Sequence, residues 1–449
     1  MARVGVGCGP VEHAEPGVTE VPFREALGFW VRLGFVNFGG PTGQIALMHT
    51  ELVERRRWID ERRFLHALNF AMLLPGPEAH QLAIYVGWLL NGSPGAIAAG
   101  LFFLLPALVL MVGLSWVYAV HGDITWVSGV FEGLAWAVVG IVAAALLRIG
   151  SKALRGPVPA SIAAIAFLAL FLFGVPFPIV VLGAGTIGLV AGRSLAPDAP
   201  AGAHDPAYER VRPTIARTAR VLAVGLGLWL APLALVIAID PDGILAEEAL
   251  FFSTMALVTF GGAYAVLSYV QQAAAVRFGW LTSSEMAVGL SLAETTPGPL
   301  IMVVVFVGFL GAYREPGSLP VVAAGVAGAL VTAWATFVPS FIFIFLGAPS
   351  VERLRGRVGL AGALAAITAA VVGVVANLAV VFATSVLFGE VRTVSPFGHD
   401  VARPIVSSVV PLAVAVAIAA FVAIRRFRVN VAWVVLGAGL VGLADVLVG

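Results

Sequence analysis

Phe38-Gly39-Gly40, Trp58 and Pro75-Gly76-Pro77 return as Phe260-Gly261-Gly262, Trp280 and Pro297-Gly298-Pro299, each 222 positions later with no gap between them. Arg55 and Arg277, Leu68 and Leu290, and Ala71 and Ala293 coincide in the same register. A single Phe-Gly-Gly says little, but a duplicated set at fixed spacing marks an internal repeat. The repeated residues are helix breakers inside apolar sequence, the pattern of discontinuous membrane helices that frame a solute site.

The surrounding composition fits that pattern. The 449 residues are 60% hydrophobic and 11% charged, with a mean hydropathy of +1.00, more than a soluble core can bury. Stretches 156–192, 221–239, 249–276, 316–351 and 358–389 hold no Asp, Glu, Lys or Arg, and a span needs roughly 20 apolar residues. The expected fold is an all-α polytopic membrane protein. Helices are expected near 24–52, 64–91, 94–119, 126–148, 158–174 and 176–192, then 221–239, then 248–272, 285–312, 319–347, 359–388, 405–424 and 429–447. A formal net charge of +1 gives no reason to invoke nucleic acid, because the basic residues sit in short loops where they set orientation. The single cysteine, Cys8, excludes an intrachain disulfide framework and a cysteine metal cluster. Residues 1–22 lack an apolar core of the secretory type and read as a cytoplasmic tail.

The repeat extends beyond the motifs. Residues 137–143 resemble 370–376 at an offset of 233, which also pairs Pro106 with Pro339. The expected organisation is a first repeat over 23–193, a linker with a connecting transmembrane helix over 194–247, and a second repeat over 248–449. Equivalent loops carry opposite charge biases. Arg55, Arg56, Arg57, Arg62 and Arg63 precede the first Pro-Gly-Pro, against Arg277 alone before the second. The loop near His121 has no Lys or Arg, whereas its counterpart has Arg353, Arg355 and Arg357; the turn near Val175 has none, and its counterpart has Arg425, Arg426 and Arg428. Placing basic loops in the cytoplasm makes the two repeats inverted, with the linker helix supplying the extra crossing. The broken segments are then either re-entrant hairpins, with arms of about 14 residues and roughly 20 Å, or complete but broken crossings.

A break inside the bilayer exposes backbone groups that only protein, water or solute can satisfy. Helix arms starting after Gly40, Gly76, Gly262 and Gly298 point free N–H groups back at the break, each end carrying roughly half a positive charge. Four such ends sum to about +2, suited to a tetrahedral dianion; close helix packing is the other use of such glycines. Arg32 lies six residues before the first break and either holds an oxyanion or reaches the interface. Glu78 follows the first Pro-Gly-Pro directly, whereas Glu294 precedes the second by three residues. Either carboxylate can carry a proton or repel an anion until protonated, and Glu78 also suits a helix N-terminus as a first-turn acid. His80 and Gln81 can donate to an oxyanion, and Thr295 and Thr296 offer hydroxyls beside the second break. Asn37 and Thr259 are equivalent positions read chiefly as helix caps. The expected solute-binding set is Arg32, Asn37, Gly39, Gly40, Thr42, Gly76, Glu78, His80, Gln81, Gly261, Gly262, Glu294, Thr295, Thr296 and Gly298.

These residues carry a family resemblance. Residues 38–46 (FGGPTGQIA), 53–59 (VERRRWI) and 72–79 (MLLPGPEA), with 259–267 (TFGGAYAVL), 279–281 (GWL) and 294–302 (ETTPGPLIM), resemble the chromate ion transporter (CHR) family in its long, two-domain form. The resemblance covers nearly the whole chain after residue 22, with Ser268 a departure from the common Ala or Pro. It implies chromate efflux across a bacterial cytoplasmic (inner) membrane, conferring chromate resistance, with sulfate as the competing oxyanion.

No enzyme reading competes. The histidines lack His-Glu-x-x-His spacing and there is no Walker-type phosphate loop; the only lysine is Lys152. No cofactor or metal is expected, so energy must come from an ion gradient or the membrane potential. The expected activity is a secondary transporter moving chromate outward, coupled to protons as an antiporter; the partners are chromate, sulfate and the lipid bilayer, and self-association stays open. An oxyanion importer and a passive anion channel remain as alternatives.

Overall fold

The computed structural model describes residues 19–195, 214–260, 262–347, 358–395 and 398–448. The N-terminal 18 residues with Cys8, most of the polar linker, Gly261, the basic loop with Arg353, Arg355 and Arg357, and Gly449 lie outside them. Sixteen α-helices are present among the described residues. The first half runs α1 (Phe23–Val36), α2 (Gly40–His49), α3 (Glu61–Ala71), α4 (Glu78–His121), α5 (Thr125–Ala153), α6 (Pro157–Phe173) and α7 (Phe177–Leu195). After the linker comes α8 (Ile215–Ile239). The second half runs α9 (Ile244–Val258), α10 (Ala263–Gln271), α11 (Ser283–Thr295), α12 (Val303–Arg314), α13 (Val321–Gly347), α14 (Val358–Leu387), α15 (Pro411–Arg426) and α16 (Val431–Val448). Six of them, α4, α5, α8, α13, α14 and α16, are long and apolar enough to cross a bilayer.

The short helices fall at the breakers, and their ends show where the chain goes. Thr19 donates from its backbone N–H to Trp58 O at 3.0 Å and from its hydroxyl to Arg57 O at 3.1 Å. The chain therefore enters α1, breaks at Phe-Gly-Gly, and returns through α2 to its starting level. Asn91 Nδ2 donates to Val21 O at 2.8 Å, so α3 and the first arm of α4 return to the same place. In the second half Trp280 Nε1 donates to Glu247 Oε2 at 3.0 Å, and Arg314 donates to Trp280 O at 2.9 Å. Arg314 also pairs with Glu285 at the start of α11. All four broken segments are hairpins whose ends meet, the shape that the re-entrant alternative calls for. Helix α4 then folds back at Asn91 and Gly92, where the backbone leaves helical angles, so the separate helix expected at 94–119 is its second arm.

The two halves reproduce one another beyond the breaks. A single wider turn follows α2 at Thr50–Arg55 and α10 at Gln272–Arg277, again 222 positions apart. Phe29 meets Trp58 edge-on at 5.5 Å, and Phe251 meets Trp280 edge-on at 5.7 Å. Arg56 lies 4.8 Å over Trp58, whereas its counterpart Phe278 stacks 4.5 Å from Trp280; a cation–π contact has been exchanged for an aromatic one. Contacts between halves are reciprocal as well. Helix α5 packs on α15 and α16, and α14 packs on α6 and α7. A methyl group on Gly140 would strike Ala417 O, and one on Gly373 would strike Ala163 O. Such small-residue contacts let membrane helices approach closely.

Helix α8, which has no counterpart, is tied to α13 through prolines. Pro232 and Pro339 each lack an N–H and so free the carbonyl four residues earlier. Trp334 Nε1 donates to the freed Leu228 O at 3.2 Å, and Trp229 Nε1 to the freed Ala335 O at 3.1 Å. Trp229→Phe keeps the buried ring but strands the Ala335 carbonyl, and should destabilise the protein by about 1–3 kcal/mol. Thermal unfolding in detergent checks this; an unchanged midpoint would remove α8 from the stabilising framework.

One expected boundary is corrected. The helix expected from 405 starts at Pro411, because residues before it form an antiparallel hairpin of β1 (Val391–Val394) and β2 (Val401–Pro404), with Arg392 opposite Arg403. Proline at the first helical position was the overlooked signal. Ser268, the departure from the family pattern, donates to Val374 O at 2.9 Å and ties α10 to α14.

Candidate functional site where the two breaks cross

The backbone assembles the site first. Gly76 N–H donates to Thr259 O at 3.0 Å, and Gly298 N–H donates to Asn37 O at 2.9 Å. Positions 37 and 259 are equivalent, as are 76 and 298, so each Pro-Gly-Pro break is bonded to the Phe-Gly-Gly break of the other half. Exchange of equivalent contacts is what a two-fold relation generates. Gly76 and Gly298 hold φ of +120° and +121°, a region that residues with a Cβ avoid. Gln44 reinforces the crossing, donating from Nε2 to Asn37 O at 3.3 Å and also to Gly298 O. Gln81 Nε2 donates to Pro75 O at 2.6 Å.

The carboxylates cross over in the same way. A Cβ on Gly262 would lie 3.3 Å from Glu78 Oε1, and one on Gly40 would lie 3.8 Å from Glu294 Oε2. Each acid therefore stands over the Phe-Gly-Gly glycine of the opposite half. Glu294 is buried and accepts from the Tyr264 hydroxyl at 2.8 Å. Arg148 of α5 is near enough to act electrostatically on both Glu294 and Tyr264. Glu78 is half-buried.

Helix ends complete the arrangement. Helices α2, α4 and α10, and the short turn at Leu300–Met302 that leads into α12, all begin at the breaks without a side-chain cap. Of the helices that start elsewhere, α3, α8 and α11 are capped by Asp60, Thr214 and Thr282, whereas α1, α5, α6, α9 and α15 also start without a side-chain cap. Ahead of Gln81, Ala265 and Met302, whose N–H groups make the first local bonds of their helices, the first-turn donors have no intrahelical acceptor. Together with the dipoles, they make a locus that favours a compact anion.

The expected residues distribute unevenly around this locus. Gly40, Gly76, Glu78, Gln81, Gly262, Glu294 and Gly298 come together, with Gly39 capping α2. Gly261 lies outside the described residues. Asn37 stands at the C-cap position of α1, but it is fully buried and its side-chain amide has no hydrogen-bond partner among the described residues, so the side chain takes no part in the cap. Its counterpart Thr259 does bond its own helix, at Met255 O. Thr295 and Thr296 likewise donate to carbonyls of α11. His80 is enclosed by Phe103, Phe337 and Phe341 at centroid distances of 5.9, 5.7 and 5.5 Å. Arg32 and Thr42 are exposed, and Arg32 makes no ion pair among the described residues. Three participants went unnoticed in the sequence: Gln44, Tyr264 and Arg148. Arg148 alone carried a signal, being an ionisable residue within an apolar helix.

No solved structure matches the chain. The chromate transporter family profile matches residues 24–189 and 246–443. The chain belongs to the chromate transporter family. A chromate transport protein of Pseudomonas aeruginosa is 31% identical over 427 residues, 94% of this chain and 92% of that one. A chromate transport protein of Cupriavidus metallidurans is 27% identical over 374 residues, 83% of this chain and 84% of that one. A probable chromate transport protein of Synechococcus elongatus is 27% identical over 377 residues, covering 82% and 86%. These three relatives are named for chromate transport.

Proposed function

We propose that this protein is a secondary transporter that carries chromate outward across the bacterial cytoplasmic membrane, binding it where the breaks of the two repeats cross. The reciprocal hydrogen bonds of Gly76 and Gly298 carry this reading, because they bring four uncapped helix starts to one place. Their combined charge of about +2 matches a tetrahedral dianion. The Asn37 amide and the first-turn N–H groups are the donors, and Arg148 offsets the nearby acids.

The division into repeats of 23–193 and 248–449, and their inverted orientation, follow from the loop charges and fit the reciprocal contacts. Inversion sets equivalent arms toward opposite membrane faces around a shared site, so rocking one half against the other alternates access. A dianion leaving a cell that is negative inside gains about 4.6 kcal/mol per 100 mV, which favours export over import. A carboxylate about 4 Å from a bound unit charge is opposed by about 4 kcal/mol at an effective dielectric of 20. Chromate binding and the ionisation of Glu78 and Glu294 are therefore linked, and protons are the coupling ion. Chromate resistance follows from export, and sulfate, alike in charge and shape, competes.

Flux into liposomes containing the purified protein tests the proposal. Chromate should accumulate against its gradient under an imposed voltage or pH difference, and sulfate should slow it. No chromate movement under any such gradient overturns the proposal; equilibration without accumulation replaces the transporter with a channel, and preferred inward flux of sulfate replaces it with an importer.

A further inference from the structure

The crossed breaks leave one buried acid unexplained. Glu248 of α9 is fully buried, and both its carboxylate oxygens lack a hydrogen-bond partner among the described residues. It occupies space made by two glycines: a Cβ on Gly311 would lie 2.7 Å from Oε1, and one on Gly328 would lie 2.9 Å from Oε2. The counterpart in the first half is Ala26, so the acid belongs to one repeat only. An ionised carboxylate buried without donors is costly, so the position calls for a role that the crossed breaks do not supply.

Two observations connect Glu248 to its surroundings. One turn earlier on α9, Ile244 and Leu245 line an open recess of about 350 Å³ whose rim carries Asp240, Asp242 and Glu315. In the other direction, Gly328 starts a row on α13 that continues at every fourth residue with Thr332, Thr336 and Ser340, all buried. The Thr332 hydroxyl donates to Ala329 O of its own helix at 3.0 Å, that of Thr336 has no partner among the described residues, and Ser340 Oγ lies 3.1 Å from where a Cβ on Gly76 would stand. The row rises about 18 Å over twelve residues. Residues four apart on a helix stand roughly 6 Å apart at Cβ, a spacing that a single water can bridge between hydroxyls.

We infer that Glu248, Thr332, Thr336 and Ser340 form a proton track from the acidic recess to the Pro-Gly-Pro break at Gly76; the inference rests on the transport reading above. A proton leaves water in the recess, binds the Glu248 carboxylate, passes along the hydroxyl row and ends on the Glu78 carboxylate, two residues beyond Gly76. Few charges oppose it. Glu247 on the same helix is bonded to Trp280, Arg314 at the end of α12 is held by Glu285 and Trp280 O, α13 has no charged residue, and α8 contributes Asp240 beyond its end.

The test compares two measurements in liposomes holding the full-length protein: chromate accumulation driven by a pH difference at clamped voltage, and exchange of labelled chromate at equilibrium, which requires no net proton movement. Glu248→Gln and the isosteric Thr336→Val should each lose pH-driven accumulation and keep exchange. A purely structural role would depress both together. PH-driven accumulation retained in Thr336→Val overturns the track even where Glu248→Gln does not fold, as does native protein that exchanges chromate but ignores the pH difference. Native protein that neither exchanges nor accumulates chromate counts instead against the transport reading.

Discussion

Gly298→Val is expected to reduce chromate flux to that of empty liposomes. At φ +121° any side chain is strained, at a cost on the order of 1–3 kcal/mol. The first added carbon would also lie 2.5 Å from the Ala107 methyl, so the break must shift. Shifting it pulls Gly298 N–H from Asn37 O, and with it the contact between the halves. Gly76→Val should do the same, since its Cβ would meet Gln81 Nε2 at 2.7 Å. Gly437→Ala is the control: nothing lies within 4 Å of its Cβ, and flux should be unchanged. Native flux in Gly298→Val would show that the crossing is dispensable.

Arg148→Gln is the second large effect. A unit charge contributes on the order of 1–4 kcal/mol near a protein site at an effective dielectric of about 20. Solvent at the exposed Arg148 screens part of it, leaving roughly a tenfold loss of apparent chromate affinity, or about 1.4 kcal/mol. Arg148→Lys should recover most of the loss, because the charge matters there more than the shape. The concentration dependence of flux reads the affinity; an unchanged half-saturation value in Arg148→Gln would place the guanidinium outside the site.

The hairpins were legible in the sequence because their cause is local. Glycine and proline interrupt helices wherever they cluster, and duplication separated meaningful clusters from incidental ones. What the breaks bond to was not legible. The pairs Gly76 with Thr259 and Asn37 with Gly298 join residues about half a chain apart, and nothing local to either announces the other. Tyr264 and Gln44 escaped for a related reason: their counterparts are Thr42 and Val266, so comparing copies marked them as variable. Arg148 sits near Lys152 and Arg155, where a charge reads as the end of a span. Asn37 and Thr259 were grouped by position, yet only threonine bonds its own helix there; the asparagine amide stays buried and unspent. The strand pair at 391–404 interrupts the second repeat alone, so the first offered no template for it.

Counting chromate ions bound per chain by equilibrium dialysis of the purified protein tests the central claim, that the four breaks of the two repeats make one site. The prediction is one chromate per chain, lost completely in Gly76→Val and equally in Gly298→Val. Two chromates per chain, with one surviving each single substitution, would mean that each repeat holds its own anion and would contradict the account.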